Sequence, residues 1–409
     1  MMKQSWCKTR SRDRCSSSGV NSVWFCLSSG FFTTASLPGL ITVSIRLAVT
    51  TLASILVFIW GMRLGKVLLR KGATARDLFK NQNPISLAFL GLYIGLMLLL
   101  LNVPQMEFFP LEWRFHGMRI SWGLMRVFLM GFCGVAFTIT RHTDRTQVIA
   151  IALVGILGLA ALGGAERYLL DPIYASLHNN LLPNGVFRQT SNSSCAPAAL
   201  ATVMRQWQIP STESEVAKFA ETSRLGTSMP QLIVAAQALD LEAIELRPHW
   251  RLMQQINRPG VLSVWLITPG RKLPHAVALL GINDEKAIIA DPATGKLFDI
   301  DRATFDTIWR DQYLPIFSSD ALADAQVNAG KYLSQLGYGT PYQNPSDLQR
   351  AIAHFQRDFD LDTTGELDKV TLLALSGLFI KGQPRLDQFE NQLAPPQPDT
   401  DVRHLLQPV

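Results

Sequence analysis

The chain has 409 residues, 48% of them hydrophobic, and a formal net charge of +6; it is too long for one compact core and too apolar for a disordered polymer. The charge is divided: residues 1–170 carry 18 Lys+Arg against 6 Asp+Glu, and the remaining 239 residues are net −6. The cationic excess therefore belongs to a basic, apolar half and gives no ground for a nucleic-acid partner.

The first 40 residues are basic, with Lys3, Lys8, Arg10, Arg12 and Arg14 ahead of a moderately apolar stretch at 20–37. Three readings are open for this segment: an extra span, a signal-like h-region, or residues upstream of the true translation start. Residues 41–62, 85–103, 120–140 and 148–164 follow as four apolar runs near bilayer length, and a bundle of transmembrane helices in a lipid bilayer is expected over 41–164. The loop with Arg63, Lys66, Arg70, Lys71, Arg76 and Lys80 marks the cytoplasmic side. The loop with Glu107, Glu112, Arg114 and Arg119 is balanced and is expected outside. Residues beyond 164 are then extracytoplasmic, on a multi-pass protein of a bacterial inner membrane. No acidic residue is counted within the spans, so an anchor is expected and not a transport path. Arg46 and Arg126 lie near span ends, where they can snorkel.

The second half begins with helix and continues with strand. Helices are expected over 196–207, capped by Ser193 or Ser194, over 213–222, opened by Thr212 and Glu215 as a capping box, and over 230–239 after Ser228. Strand-like runs follow at 241–246, 261–267, 276–282 and 287–290, the last two joined by the hairpin connection NDEK. Helices first and a strand meander later indicate an α+β domain over 185–317. Residues 326–378 form a small helical unit with Leu348, Ile352, Phe355 and Phe359 on one stripe. The Pro-rich, polar tail, 392–409, is expected to be disordered.

The five cysteines show neither a CxxC nor a metal-ligand spacing, and Cys195 alone falls in the second half. No metal or other cofactor is expected there, and no disulfide. Cys195 enters an alanine-rich helix directly after TSNSS, where the helix N-terminus favours a thiolate. Work near neutral pH needs a histidine base. His116, His142, His178, His354 and His404 fall in loops, connectors and the C-terminal region, and His249 lies between segments. His275 opens the apolar strand HAVALLGI, and Asp291 begins DPATG just after the neighbouring strand, where a hairpin can bring the two together.

The motifs QTSNSSCAPAAL, PHAVALLGI and ADPATG resemble those of the bacteriocin-processing, double-glycine-leader cysteine peptidase family, which has a papain-like fold. The resemblance covers 185–317 and implies Cys195 as nucleophile, His275 as general base and acid, Asp291 as the group orienting the imidazole, and Gln189 as an oxyanion donor. Two departures stand beside it. No G-x-x-x-x-G-K-[ST] phosphate loop occurs anywhere in the chain, so no ATP-binding motif accompanies the domain. Ala196 also follows the cysteine where the family often has glycine. The segments YLSQLGY, LQRAIAHFQRDFDL and TGELDKVTLLAL resemble the three-helix peptidoglycan-binding domain.

Three functions are compatible with these motifs. The favoured one is a membrane-anchored, extracytoplasmic cysteine peptidase acting on a peptide or protein and held near peptidoglycan. The others are a hydrolase of peptidoglycan stem peptides and a silent papain-like receptor for wall or partner.

Overall fold

The computed structural model describes residues 37–70, positions 91, 94, 95, 98, 102, 106 and 109, and 110–391 except 144, 269, 270, 340, 341 and 343. The basic N-terminus, the apolar stretch at 20–37 apart from its last residue, most of the run at 85–103 and the Pro-rich tail lie outside the described residues. The chain divides into two compact units, Met1–Thr51 and Leu52–Val409. The described part of the first is the opening of one long helix, and the second holds every other element.

Three long helices come first: α1 (Leu37–Arg70), α2 (Leu111–Thr143) and α3 (Gln147–Leu170). Ala48–Arg70, Leu111–His142 and Gln147–Leu170 are long and apolar enough to cross a membrane. Their outward residues fit that solvent: Leu56, Ile149, Ile156 and Leu157 are all exposed. Close packing is built on glycine. A Cβ at Gly61 of α1 would lie 2.2 Å from the Gly131 carbonyl oxygen of α2, and one at Gly134 2.2 Å from that of Phe58. Backbone approaches of this kind are how helices associate where burial from water supplies no drive.

Two expectations for this region change. The segment with Glu112, Arg114 and Arg119, read as a loop, is the start of α2, because Arg114 and Arg119 find carboxylates (Glu245 and Glu221) that let the helix continue past its apolar run. The last helix also runs beyond the apolar run expected at 148–164 and so takes in Glu166, which pairs with Arg126, so that neither charge is alone.

The remainder is an antiparallel six-stranded sheet with helices on both faces. In chain order come α4 (Cys195–Gln206), α5 (Glu213–Phe219), α6 (Met229–Gln237), β1 (Glu242–Ala243), α7 (Trp250–Ile256), β2 (Gly260–Thr268), β3 (Arg271–Ile282), β4 (Lys286–Asp291), β5 (Lys296–Asp301), α8 (Arg302–Ile308) and β6 (Trp309–Phe317). Helices α9 (Ser319–Gln335), α10 (Pro345–Asp358) and α11 (Lys369–Ser376) follow. The strand order is β1-β6-β2-β3-β4-β5. This is the mixed helix and sheet class expected, with four elements beyond those expected: α7, β5, α8 and β6.

Alternation along β3 explains the two cores. Ala276, Ala278 and Leu280 face α4–α6, where Leu200, Met204 and Leu232 are buried. Val277 and Leu279 face the other way, onto Trp250, Phe305 and the C-terminal helices. That second core is continuous from the sheet through α7 to Leu333, Phe355 and Leu373, so α9–α11 complete a layer over the sheet. Of the stripe anticipated on α10, Ile352 and Phe355 are buried inside it and Leu348 packs at its edge.

Candidate active site

The site forms where the N-terminus of α4 meets the sheet. Cys195 is the first residue of α4, after Ser194 at the N-cap position. The Ser194 hydroxyl does not cap the helix as expected. It turns back, donating to the Ser191 carbonyl at 2.8 Å and accepting from the Ser191 amide at 3.0 Å. This local turn closes the polar run and leaves the first amides of the helix directed at what precedes them.

His275 lies on β3, opposite Val264 of β2 in the ladder. Beyond the end of the β3–β4 ladder, the His275 ring donates from Nε2 to Oδ1 of Asp291 at 2.7 Å. Asp291 has no exposed surface. Its carboxylate also takes the Ala293 amide and the Thr294 hydroxyl, each at 2.9 Å. The turn closes with the Gly295 amide on the Asp291 carbonyl at 2.7 Å. Gly295 has φ +72, and a Cβ there would lie 2.3 Å from Leu182, so only glycine serves. The sequence DPATG thus fixes the carboxylate before histidine uses it.

With Nε2 held by Asp291, Nδ1 is the ring nitrogen left for Cys195. Burial raises the thiol's pKa, but the hydrogen bond and charge of His275, with the amides of Ala276 and Ala196, outweigh it and bring the thiol below its usual range. Burial disfavours the imidazolium, yet hydrogen bonds to Asp291 and Cys195 push His275 up to about 10. The shifts are opposite and mutual, which favours a thiolate–imidazolium pair over two neutral groups. The Ala276 amide, next to His275 in the chain, was not anticipated as a donor; no side-chain pattern announces a backbone group.

Gln189 is half-buried, on the segment leading into α4. Its amide N–H donates to the Pro292 carbonyl at 2.8 Å, tying it to the Asp291 turn. Its side-chain Nε2 donates to the Ser191 carbonyl at 3.0 Å, which leaves that nitrogen one further hydrogen. The next residue, Thr190, gives its amide and its hydroxyl to fully buried Glu213, both at 3.0 Å. Glu213, expected only as a helix start, is therefore also the anchor of the Gln189 segment. The structure brings Cys195, His275 and Asp291 into one hydrogen-bonded set and holds Gln189 against the same turn.

A cleft of about 340 Å³ opens beside Cys195 and His275. One wall is α6 with the loop before it, another is β2 and β6, and a third is α2, through Arg114, Phe115, Met118 and Arg119. The third wall is secured by buried Arg114, which bonds Glu245 at 2.5 Å, and by Arg119 at 3.0 Å from Glu221. His249 has a structural task away from the cleft: it caps α7 by accepting the Leu252 amide at 2.9 Å. No cluster of metal-binding side chains occurs among the described residues.

Known proteins resemble two parts of the chain. The model of the Peptidase C39 family matches residues 184–321, and that of a peptidoglycan binding domain matches 326–375. An uncharacterised protein of Methanothermobacter marburgensis is 31% identical over 137 residues, 34% of this chain and 85% of the relative. The mesentericin-Y105 transport/processing ATP-binding protein MesD of Leuconostoc mesenteroides is 27% identical over 123 residues, 30% of this chain and 17% of that protein. The crystal structure of the peptidase domain of Streptococcus ComA, a bifunctional ABC transporter, aligns with TM-score 0.31 and 21% identity, covering 33% of this chain and 99% of that one. The chain therefore belongs to the Peptidase C39 family, with that family's domain followed by a peptidoglycan-binding domain and preceded by candidate membrane helices.

Proposed function

We propose that the protein is a membrane-anchored cysteine peptidase working through Cys195, His275 and Asp291, with Gln189 as oxyanion donor. The Cys195 thiolate attacks a peptide carbonyl carbon, forming the C–S bond. The Gln189 Nε2 hydrogen and a backbone amide at the start of α4 receive the oxyanion. The imidazolium gives its Nδ1 proton to the departing amine as the C–N bond breaks. Water, losing a proton to the same nitrogen, then hydrolyses the thioester and restores the ion pair. Asp291 stays ionised and holds the ring. The basic loop between the first two apolar runs supports an extracytoplasmic placing of the peptidase domain, and residues 326–375 would keep it at the wall.

The observation that carries this reading is the 2.7 Å bond from His275 to buried Asp291 on one side of a ring whose other side meets Cys195. A silent receptor has no use for a thiol held in this way. The test is the pH dependence of Cys195 alkylation by iodoacetamide in the intact chain, located by peptide mapping. Fast alkylation well below the ordinary thiol pKa of ~8.5, lost in His275→Ala, supports the peptidase. A slow reaction that rises only near that pKa in both proteins removes it. Cleavage of purified wall sacculi against cleavage of linear peptides then separates stem-peptide hydrolysis from proteolysis; the peptidoglycan-binding domain in the same chain makes that comparison necessary.

A further inference from the structure

The walls of the cleft carry five charged side chains apart from His275, and four are matched in pairs. Arg114 is bound by Glu245, whose other oxygen takes the Gln312 side chain at 2.8 Å, and Arg119 is bound by Glu221. The fifth is Arg310 on β6. Its Nη1 donates to the Ser263 hydroxyl at 3.0 Å, and its guanidinium lies 4.3 Å from the centre of the Trp265 ring. Among the described residues no carboxylate lies within ion-pair range of it. Ser263 and Trp265 fix the group's position, but neither neutralises it. Partial burial without a counter-ion depresses its pKa.

Resting on the peptidase reading, we infer that Arg310 forms a subsite for a carboxylate of the substrate, so that the enzyme selects a polypeptide with an acidic side chain a few residues from the scissile bond. The sheet sets the spacing. Val264 of β2 pairs with His275 on one side and with Trp309 of β6 on the other. Arg310 is thus two strands away from His275, roughly 10 Å at the ordinary interstrand spacing. An extended peptide advances about 3.3 Å per residue, which places the acidic residue two or three positions from the attacked carbonyl. Among the described residues only its Nη1 is engaged, which leaves the Nε and Nη2 hydrogens for a bidentate carboxylate. A matched cation would be structural; an unmatched one on the wall of a cleft awaits its anion from elsewhere.

The test uses the full chain in detergent micelles and linear peptides that differ only by Glu, Gln or Lys at each of three positions on either side of the cut. The expected result is a preference of about tenfold in kcat/KM for Glu at one position, absent in Arg310→Gln. In Arg310→Glu the preference at that position turns to Lys. Hydrolysis with no Glu/Gln discrimination anywhere, or a preference that survives in Arg310→Gln, overturns the subsite and leaves the peptidase standing. No hydrolysis of any peptide, together with slow Cys195 alkylation at neutral pH, removes the peptidase and the subsite with it. Unchanged Cys195 alkylation in both variants shows that the substitutions act on recognition and not on the thiolate.

Discussion

His275 Nε2 lies 2.7 Å from Oδ1 of Asp291, a carboxylate without exposed surface that also holds the Ala293 amide and the Thr294 hydroxyl of its own turn. A carboxylate fixed in this way sets the pH behaviour of the site. The thiol is lowered and the imidazole is raised to about 10, so the reactive ion pair exists between the two values. Activity rises as pH climbs through the lowered thiol pKa, and falls as it passes the raised imidazole pKa, where the proton for the leaving amine is lost. Asp291→Asn keeps an acceptor oxygen but removes the charge. The alkaline limb of kcat/KM should move down from about 10, and Cys195 alkylation at neutral pH should slow. An alkaline limb unmoved in the variant would show that Asp291 holds the turn without acting on the ring.

Gln189 should separate binding from chemistry. The side chain's spare Nε2 hydrogen is useful only when an oxyanion forms. Gln189→Ala should therefore lower kcat by roughly 10²-fold with KM little changed, the usual consequence of losing one oxyanion donor. Cys195 alkylation has no oxyanion and should proceed at the native rate. Loss of alkylation as well would mean that the Gln189 segment shapes the helix entrance instead.

How much of this was legible in the residues depends on the range of the force involved. The helix starts expected at 213 and 230 were readable to within a residue because capping boxes and prolines act locally, and the central strands because both their faces are apolar. The start expected at 196 also lay within a residue, although its serine cap is not made. β5 and β6 were missed for different reasons. KLFDID is short and half polar, and WRDQYLPIF contains a proline and a positive-φ Asp311, features that ordinarily argue against a strand. Cys195 was linked to His275 and Asp291 through motifs, because it lies 80 residues before the hairpin that carries the other two, a separation that periodicity alone could not have bridged. The third wall of the cleft was out of reach. Arg114 and Arg119 read as loop charges because their partners, Glu245 and Glu221, are more than a hundred residues away.

That third wall is itself testable. The Arg114 and Glu245 side chains are 8% and 5% exposed, so the pair is desolvated and each charge depends on the other. Glu245→Ala removes the buried carboxylate bound to this guanidinium and should cost about 3–5 kcal/mol, lowering the thermal midpoint of the intact chain in detergent. Replacing both residues by Met removes both charges and should recover most of that loss. If Glu245→Ala melts like the native protein, α2 is not fixed to the peptidase domain through this contact.

The C-terminal helices offer a prediction of mechanical coupling. Arg258 is fully buried between α7 and β2, and among the described residues no carboxylate pairs with it. Its Nη1 donates to the carbonyls of Ile256 and Leu373, at 2.9 and 3.1 Å, and its Nη2 to the Ser376 hydroxyl at 2.9 Å. Burial brings the guanidinium down to about 10. Below that value it is a cation held by the end of α11, where helix carbonyls concentrate partial negative charge. Beside it Gln255 and Asn257 donate to the carbonyls of Ala374 and Gly377. Gly377 lies so close that a Cβ would be 1.7 Å from the Gln255 carbonyl oxygen. Arg258→Ala removes three donor contacts and should cost about 3 kcal/mol or more, while Gly377→Ala forces the two backbones apart without touching a charge. Both variants should expose α9–α11 to limited proteolysis while the fragment containing Cys195 persists. Two independent lesions with one cleavage pattern would establish that the C-terminal module is seated on the peptidase core through this contact. Native resistance to protease in both variants would place the coupling elsewhere in the shared core.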